Sequence, residues 1–296
     1  MKPRIAVVGS LNVDLIASVE RLPRAGETIA ASQLVRRFGG KGANQALAAA
    51  RQGAQVWMIG CVGDDADGRE YREHFEGEDI DCTGLSIARR ALTGTALIAV
   101  DAAAENLIVV APGANGHLRA ADVRKQREKI ARAQALLVQL EVPLPAVLEA
   151  IRIANRAGVP VVFNPSPWRA DFPWDDHRID VAIVNESEAA ALEKLRASKI
   201  ATLVITRGAQ PTRCLSAEGE FSVPTLRVKP IDTVGAGDAF AGALATALAR
   251  GLSLRKAIAR ANCAGALATL KPGAQEALPT ARAVEQAVSR QSGLQR

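Results

Sequence analysis

Short runs of Val, Ile and Leu recur along this chain, separated by longer alanine-rich stretches whose apolar residues return every three or four positions. The runs are IAVVG (5–9), VWMIG (56–60), ALLVQL (135–140), VPVVF (159–163), VAIVN (181–185) and ATLVIT (201–206). Each is short and lacks the polar alternation of a half-exposed strand, so each is expected to be a strand buried on both faces. The intervening GANQALAAARQG and LPAVLEAIRIANRAG carry helical periodicity. Strand and helix in alternation imply an α/β fold, with a parallel sheet covered by helices and ligands gathered beyond the carboxyl ends of the strands.

Two segments break the alternation. Residues 13–38 carry turn signals and alternating polarity, and residues 94–110 read as a hairpin turning near Ala103 to Asn106. They are expected to form a small accessory sheet, either a lid over a site or plain edge strands. No internal repeat, low-complexity linker or clear boundary divides the 296 residues, so 1–296 reads as a single α/β domain with a lid formed by about 13–38 and 94–110. The polar tail after about Ala287 is expected to fray.

Composition narrows the classes of function. Aromatics make up 3% of the chain, too few for a surface that stacks nucleic-acid bases. The net charge of +6 would suit an anionic partner, but the basic residues are scattered. The densest stretch, Arg119 to Gln134, is interleaved with acids and apolar residues at helical spacing and reads as a solvated helix face. No nucleic-acid partner is expected. Cys61, Cys82, Cys214 and Cys263 lie far apart without paired spacing, which suggests neither a zinc site nor a disulfide framework and fits a reducing cytoplasm. The opening MKPRIAVVG enters an apolar strand at once, unlike a signal peptide, and no run reaches the roughly 18 apolar residues of a membrane span. No membrane partner is expected.

Chemistry is concentrated at two glycine turns that open helices, FGGKGANQALAAA (38–50) and DTVGAGDAF (232–240). A helix start exposes unpaired N–H groups and the positive end of the helix dipole, so anions gather there. Asp238 at such a start has two readings. It caps the helix, or it is a general base beside an anion hole, taking a proton from a hydroxyl that attacks a phosphate held by the same N–H groups. Neither turn has the full glycine pattern of a phosphate loop or a dinucleotide fingerprint.

Polar residues at the ends of the apolar runs fall on the expected ligand side. Asn12 and Asp14 follow the first run and Glu141 follows LLVQL; with Lys41 and Asn44 they supply the donors and acceptors that a polyhydroxylated molecule requires. Taken singly, each also reads as a turn or cap residue. NESEA (185–189) reads either as a capped helix start with acids in its first turn or as a support for hydrated magnesium.

Four segments in order, GSLNVD, GGKGAN, NESE and DTVGAGDAF, resemble the signatures of the ribokinase family of sugar kinases, the PfkB family; LLVQLE and LKPGAQ reinforce the match. The resemblance runs from residue 5 to about residue 285. It implies a ribokinase-like three-layer sandwich with a mostly parallel central sheet and a small β-sheet lid. It also implies ATP-dependent phosphorylation of D-ribose at the 5-hydroxyl, with magnesium and stimulation by potassium, in a homodimer formed through the lids.

Residue by residue, the resemblance makes Asp238 the base that deprotonates the sugar hydroxyl, with Gly235, Ala236 and Gly237 forming the anion hole. Asn12, Asp14, Gly40, Lys41, Gly42, Asn44 and Glu141 match sugar-contacting positions. Asn185, Glu188, Thr206, Gly208, Gly237 and Asn262 match nucleotide-side positions, with Glu188 serving magnesium indirectly. Asp232 and the carbonyls of Val234, Ala268, Lys271 and Gly273 match a monovalent-cation site; Asp232 alone also reads as a loop-ordering side chain.

Three departures stand out: Pro211 occupies the place of a glycine in the nucleotide loop, the 187–202 segment is about one helix short, and Ala277 replaces a serine near the cation. Rival readings are a kinase for 2-deoxyribose, another sugar or a nucleoside, a sugar-binding protein that has lost turnover, and a nucleic-acid binder.

Overall fold

The structure is a computed structural model that describes residues 2–103, 105–195 and 199–293. The chain forms β1 (Arg4–Val8), β2 (Asn12–Ser18), β3 (Gln33–Gly39), α1 (Lys41–Arg51), β4 (Gln55–Gly63), α2 (Ala66–Gly77) and β5 (Ile80–Ala88). Then come β6 (Gly94–Val100), β7 (Asn106–Ala111), a 3-10 turn (Gly113–His117), α3 (Ala120–Lys125), α4 (Arg127–Arg132) and β8 (Ala135–Val138). α5 (Leu144–Ala157), β9 (Val161–Phe163), β10 (Val181–Asn185), α6 (Glu186–Leu195), β11 (Thr202–Arg207), β12 (Gln210–Ser216) and β13 (Gly219–Val223) follow. The last elements are α7 (Ala236–Ala249), α8 (Leu254–Ala268) and α9 (Ala281–Gly293).

Successive side chains of a strand point to opposite faces, and β1 shows why its run has no polar residue. Ile5 and Val7 pack with Leu47, Leu244 and Ile258 of α1, α7 and α8, while Ala6 and Val8 pack with Val123, Ile151 and neighbours of α3 and α5 on the other face. Among the described residues the main sheet has nine strands in the order β13-β12-β11-β10-β9-β8-β1-β4-β5. From β11 to β5 every pairing is parallel; β12 and β13 are added antiparallel at one edge. The mostly parallel α/β class thus stands, with an antiparallel edge that the apolar runs did not announce. Those strands are half-exposed and carry Pro and Gly.

Pro211 falls at the irregularity where β12 pairs Gln210 with Arg207 and Arg213 with Ile205, and it lies outside the β13 register, which starts at Thr212↔Val223. A proline fixes φ and lacks an N–H, and here it stands where the pairing to both neighbouring strands skips it. The hairpin turns at Gly208, φ 58°. On the short 187–202 segment, α6 ends at Leu195 and β11 starts at Thr202; residues 196–198 lie outside those described.

Among the described residues a second sheet of four strands, β3-β2-β6-β7, covers the two irregular segments. β2 and β6 run parallel and the flanking pairings are antiparallel. The turn between β6 and β7 contains residue 104, outside those described. The sheet rises directly from the end of β1, since β2 begins at Asn12, which is paired on its two sides with Gly39 and Gly94.

Two local expectations can be placed: the first keeps its solvated basic face, and the second changes. The basic stretch 119–134 is split at Gln126 into α3 and α4, with Val123 and Ile130 buried and Arg119 and Lys125 exposed. The tail after Ala287 does not fray there, because α9 continues to Gly293 and lays Val284, Ala287 and Val288 on the core. Among the described residues no helix is long and apolar enough to cross a membrane.

Candidate active site

β1 ends at Val8, and the turn that follows meets the start of α1 so closely that a Cβ on Gly42 would lie 2.4 Å from the Ser10 backbone N. Gly40 reverses the chain with φ 89°, a conformation open to glycine but strained for other residues. Glu141, just past β8, accepts from Ser10 Oγ at 2.5 Å and from the Lys41 backbone N–H at 2.9 Å, both on Oε2. A carboxylate on the first amide of a helix is a favourable charge–dipole contact, and it joins the ends of β1, β8 and α1.

Asn12 and Asp14 stand on β2 above this junction. Asn12 Oδ1 accepts from Asn115 Nδ2 at 2.7 Å, and Asn115 also bonds both backbone groups of Leu11, at 2.9 and 3.0 Å. Asn115 belongs to the 3-10 turn and was not singled out from sequence. The Asp14 carboxyl is raised to about 7, first by burial and then by the negative charges of Glu141, Glu276 and Asp238. An acid so crowded by others marks a place built to receive hydrogen-bond donors or a cation.

α7 is apolar on nearly all sides and buried from Asp238 to Ala247, which makes its one carboxylate conspicuous. Gly235 caps the helix in the left-handed region, φ 75°, and a Cβ there would lie 2.9 Å from Ala274 Cα. Asp238 is the third residue of the helix and makes no cap bond. Its carboxylate accepts instead from Asn44 Nδ2 at 3.0 Å and from Gln45 Nε2 at 2.9 Å, both on α1. The side-chain cap of the first sequence reading is thus not made here. Burial raises the Asp238 carboxyl, while the Lys41 charge and the two amide donors pull it down. Beside it, Gly237 is exposed, and a Cβ there would meet nothing within 4 Å. The first turn at Gly237 thus borders open space next to a buried carboxylate, while the Ala236 N–H donates to the Thr233 carbonyl at 3.3 Å.

A chain of buried amides fixes this carboxylate. An ionised Asp238 only accepts, so Gln45 must present its NH2 there and use its oxygen elsewhere. Gln139 Nε2 donates to Gln45 Oε1 at 2.6 Å, and Gln45 Nε2 reaches Asn164 Oδ1 at 3.1 Å. On the other side Gln275 Nε2 donates to Asn44 Oδ1 at 3.1 Å and to Tyr71 Oη at 2.7 Å, and Tyr71 in turn donates to the Gly39 carbonyl. Gln45, Asn164 and Gln275 were missed because an isolated amide in a sequence carries no sign of its burial. The only available signal was their position beside motifs already noted, as in GGKGANQ and KPGAQ.

Asp232 ties two loops together: Oδ1 accepts from Val234 N at 3.0 Å and Oδ2 from Gly273 N at 2.8 Å. Ile231 and Asp232 both donate backbone N–H groups to the Thr269 carbonyl. The segments around Val234, Thr269 and Gly273 are therefore held side by side. Ala277 nearby is buried and brings no hydroxyl.

Further along the sheet, Asn185 and Thr206 are register partners at the carboxyl ends of β10 and β11. Asn185 Oδ1 accepts from Glu188 N at 2.8 Å and Glu188 Oε2 accepts from Asn185 N at 2.9 Å. This reciprocal pair is the capped helix start of the sequence reading. It engages one oxygen of Glu188. Thr206 Oγ1 donates to the Val184 carbonyl. Asn262 differs from its expected role as a nucleotide contact: its amide donates to the Val223 and Pro224 carbonyls and accepts from Thr212 Oγ1, so the side chain is spent in tying α8 to the sheet edge.

The chain as a whole is similar to known proteins. The family model described as pfkB family carbohydrate kinase matches residues 2–281. A ribokinase of Haemophilus influenzae is 38% identical over 297 residues, covering 95% of this chain and 96% of the relative. The solved structure of ribokinase from Giardia lamblia superposes with a TM-score of 0.89 at 27% identity, covering 98% of this chain and 99% of the other. An Arabidopsis thaliana ribokinase complexed with ribose and ATP gives 0.87 at 26% identity over 97% and 99% of the two chains. Since both the family model and a relative well above 30% identity span nearly the whole chain, it belongs to the pfkB family of carbohydrate kinases.

Proposed function

We propose that this chain transfers the γ-phosphoryl group of ATP to the 5-hydroxyl of D-ribose, releasing ribose 5-phosphate and ADP. The observation that carries the reading is Asp238: a buried carboxylate, aimed by Asn44 and Gln45, beside the open start of α7. The sugar hydroxyl gives its proton to Asp238 as its oxygen attacks the γ-phosphorus, and the bond to the β-phosphate oxygen breaks with its electrons leaving on ADP. The amides at Gly235, Ala236, Gly237 and Asp238 receive the negative charge of the transferring group. Positioning and electrostatics supply most of what such a transfer needs.

Ribose is held by Asn12, Asp14, Gly40, Lys41, Gly42, Asn44 and Glu141, the groups gathered at the ends of β1, β2 and β8. The nucleotide lies toward Asn185, Thr206 and Gly208, with Asn262 supporting its wall from behind. Magnesium, when bound, offsets the charge of the phosphates, and Glu188 with Asn185 would hold its water shell. Potassium fits the oxygens of Asp232, Val234, Ala268, Lys271 and Gly273, where it would order the loop leading into α7. The four-stranded sheet acts as the lid of a single 1–296 unit. All six residues of its edge strand β7 are exposed, including Leu107, Ile108, Val109 and Val110. An apolar unpaired edge of this kind supports a homodimer formed lid to lid. The four cysteines are all buried and free, which agrees with a cytoplasmic protein.

The test is ADP release with ATP, magnesium and potassium, comparing D-ribose, 2-deoxyribose, fructose and adenosine, with Asp238→Asn as control. Ribose-dependent release is expected to fall by about a hundredfold or more in the variant while calorimetric ribose binding persists. Stronger release with another acceptor would reassign the substrate, and near-normal turnover of Asp238→Asn would remove the base.

A further inference from the structure

The basic stretch 119–134 is the sequence feature that phosphoryl transfer leaves unused. A cavity of about 590 Å³ opens at the carboxyl ends of β4 and β5, lined by Cys61, Arg89, Arg90, His117, Arg119 and Lys125 among others. Cys61 packs with the core on the α3 and α5 side of the sheet, whereas α1 and α7, which hold Asp238, cover the opposite side. The cavity therefore lies on the other face of the sheet from the helices that hold Asp238.

Its charge is one-sided. Asp122 is the acid in the lining, and it is already shared by Arg119 at 2.9 Å and Lys125 at 3.0 Å. Those contacts, Arg119 first, hold its carboxyl at about 2. Arg89 and Arg90, directly after β5, have no partner among the described residues. Guanidinium groups converging on one concavity raise its potential and offer forked donors that match the oxygens of a phosphate.

The cavity also touches the sugar side of the molecule. His117 ends the 3-10 turn whose Asn115 bonds Leu11 and Asn12. A ligand that draws His117 and Arg119 together acts on the turn that orients Asn12.

We propose that this cavity is a second anion site, taking a small molecule that bears a phosphate group, and that its occupancy is transmitted to Asn12 through the 3-10 turn. Free phosphate and a phosphate monoester share the chemistry, so both serve as probes. Inorganic phosphate and glycerol 3-phosphate are titrated calorimetrically into the full chain held in excess ADP and D-ribose, and the titration is repeated with the Arg89→Ser/Arg90→Ser double variant. At least one probe is expected to bind, about tenfold or more weaker in the variant. Thermal midpoint and anion-free turnover should stay unchanged, because both arginines are exposed and unpartnered. Tighter monoester binding assigns the site to phosphorylated small molecules, and tighter phosphate binding to the free ion.

Equal affinity in both proteins, or no binding of either probe, overturns the site. The link to Asn12 rests on the proposed ribose reaction: a ribose KM that shifts with the probe in the starting protein, but not in the variant or with chloride at equal ionic strength, supports it. An unmoved KM despite binding overturns that link. Calorimetry reads binding without turnover, so failure of ribose phosphorylation is distinguishable from failure of the anion site.

Discussion

Gln275 donates to Asn44 across 3.1 Å, joining the loop after α8 to the residue whose own amide holds Asp238 at 3.0 Å. The same loop is anchored by Gly273 to Asp232, just ahead of α7. The proposed base and the proposed cation loop are thus parts of one hydrogen-bonded assembly, with Gln275 as the positioning residue between them.

Gln275→Leu leaves Asn44 Oδ1 and Tyr71 without a buried donor, which is expected to cost about 1–3 kcal/mol of stability. A carboxylate released from its setting also loses alignment, and kcat is expected to fall about tenfold or more. Ribose affinity by calorimetry should change by less than about threefold. A lowered melting temperature with unaltered kcat would reduce Gln275 to a packing role.

Gly235 and Gly237 should respond oppositely to alanine. Gly235→Ala forces a left-handed residue and a clash with Ala274, and is expected to destabilise by about 1–2 kcal/mol or more. Gly237→Ala meets open space and favours the helix, so its thermal midpoint should hold or rise. Its methyl nevertheless projects beside the amides assigned to the phosphoryl group, and kcat/KM should drop by about tenfold or more. Full activity in Gly237→Ala would move the anion hole elsewhere.

Asp232→Ala removes the carboxylate that holds both loops and contributes to the proposed potassium site. Activation by potassium chloride, measured against choline chloride, is expected to disappear while residual turnover remains. An unchanged potassium response would exclude the site.

The protein's stability should fall on both limbs of its pH profile. Asp14 is raised from 3.8 to about 7 in the folded chain, so between those values unfolding releases a proton and stability declines as pH rises. Asp14→Asn should abolish that decline and raise the melting temperature at pH 8 relative to the starting protein. Glu149, held at about 2 chiefly by Arg152, and Asp122, at about 2 chiefly through Arg119, act oppositely. Their stabilisation is full above the ordinary carboxylate range and is lost as pH falls toward about 2. Melting curves of both proteins from pH 3 to 9 give the check.

Sequence by itself determined the alternation of strands and helices, because periods of 2 and 3.6 residues are local properties of the backbone. Ile5 to Val8 declared a strand buried on two faces, and the turns at Gly40 and Gly235 declared helix starts, wherever those elements were to lie. The edge strands β12 and β13 were not legible, since half-exposed residues with Pro211 and Gly219 leave no such period. Nor was the choice between cap and base at Asp238. Its partners come only from the tertiary structure, which lays α1 against α7 so that Asn44 and Gln45 donate to the Asp238 carboxylate in a buried site. The same holds for Gln275 beside Asn44 and Asn115 beside Asn12: an amide's partner is set by sheet order and crossover packing across more than a hundred residues, which no local spacing encodes.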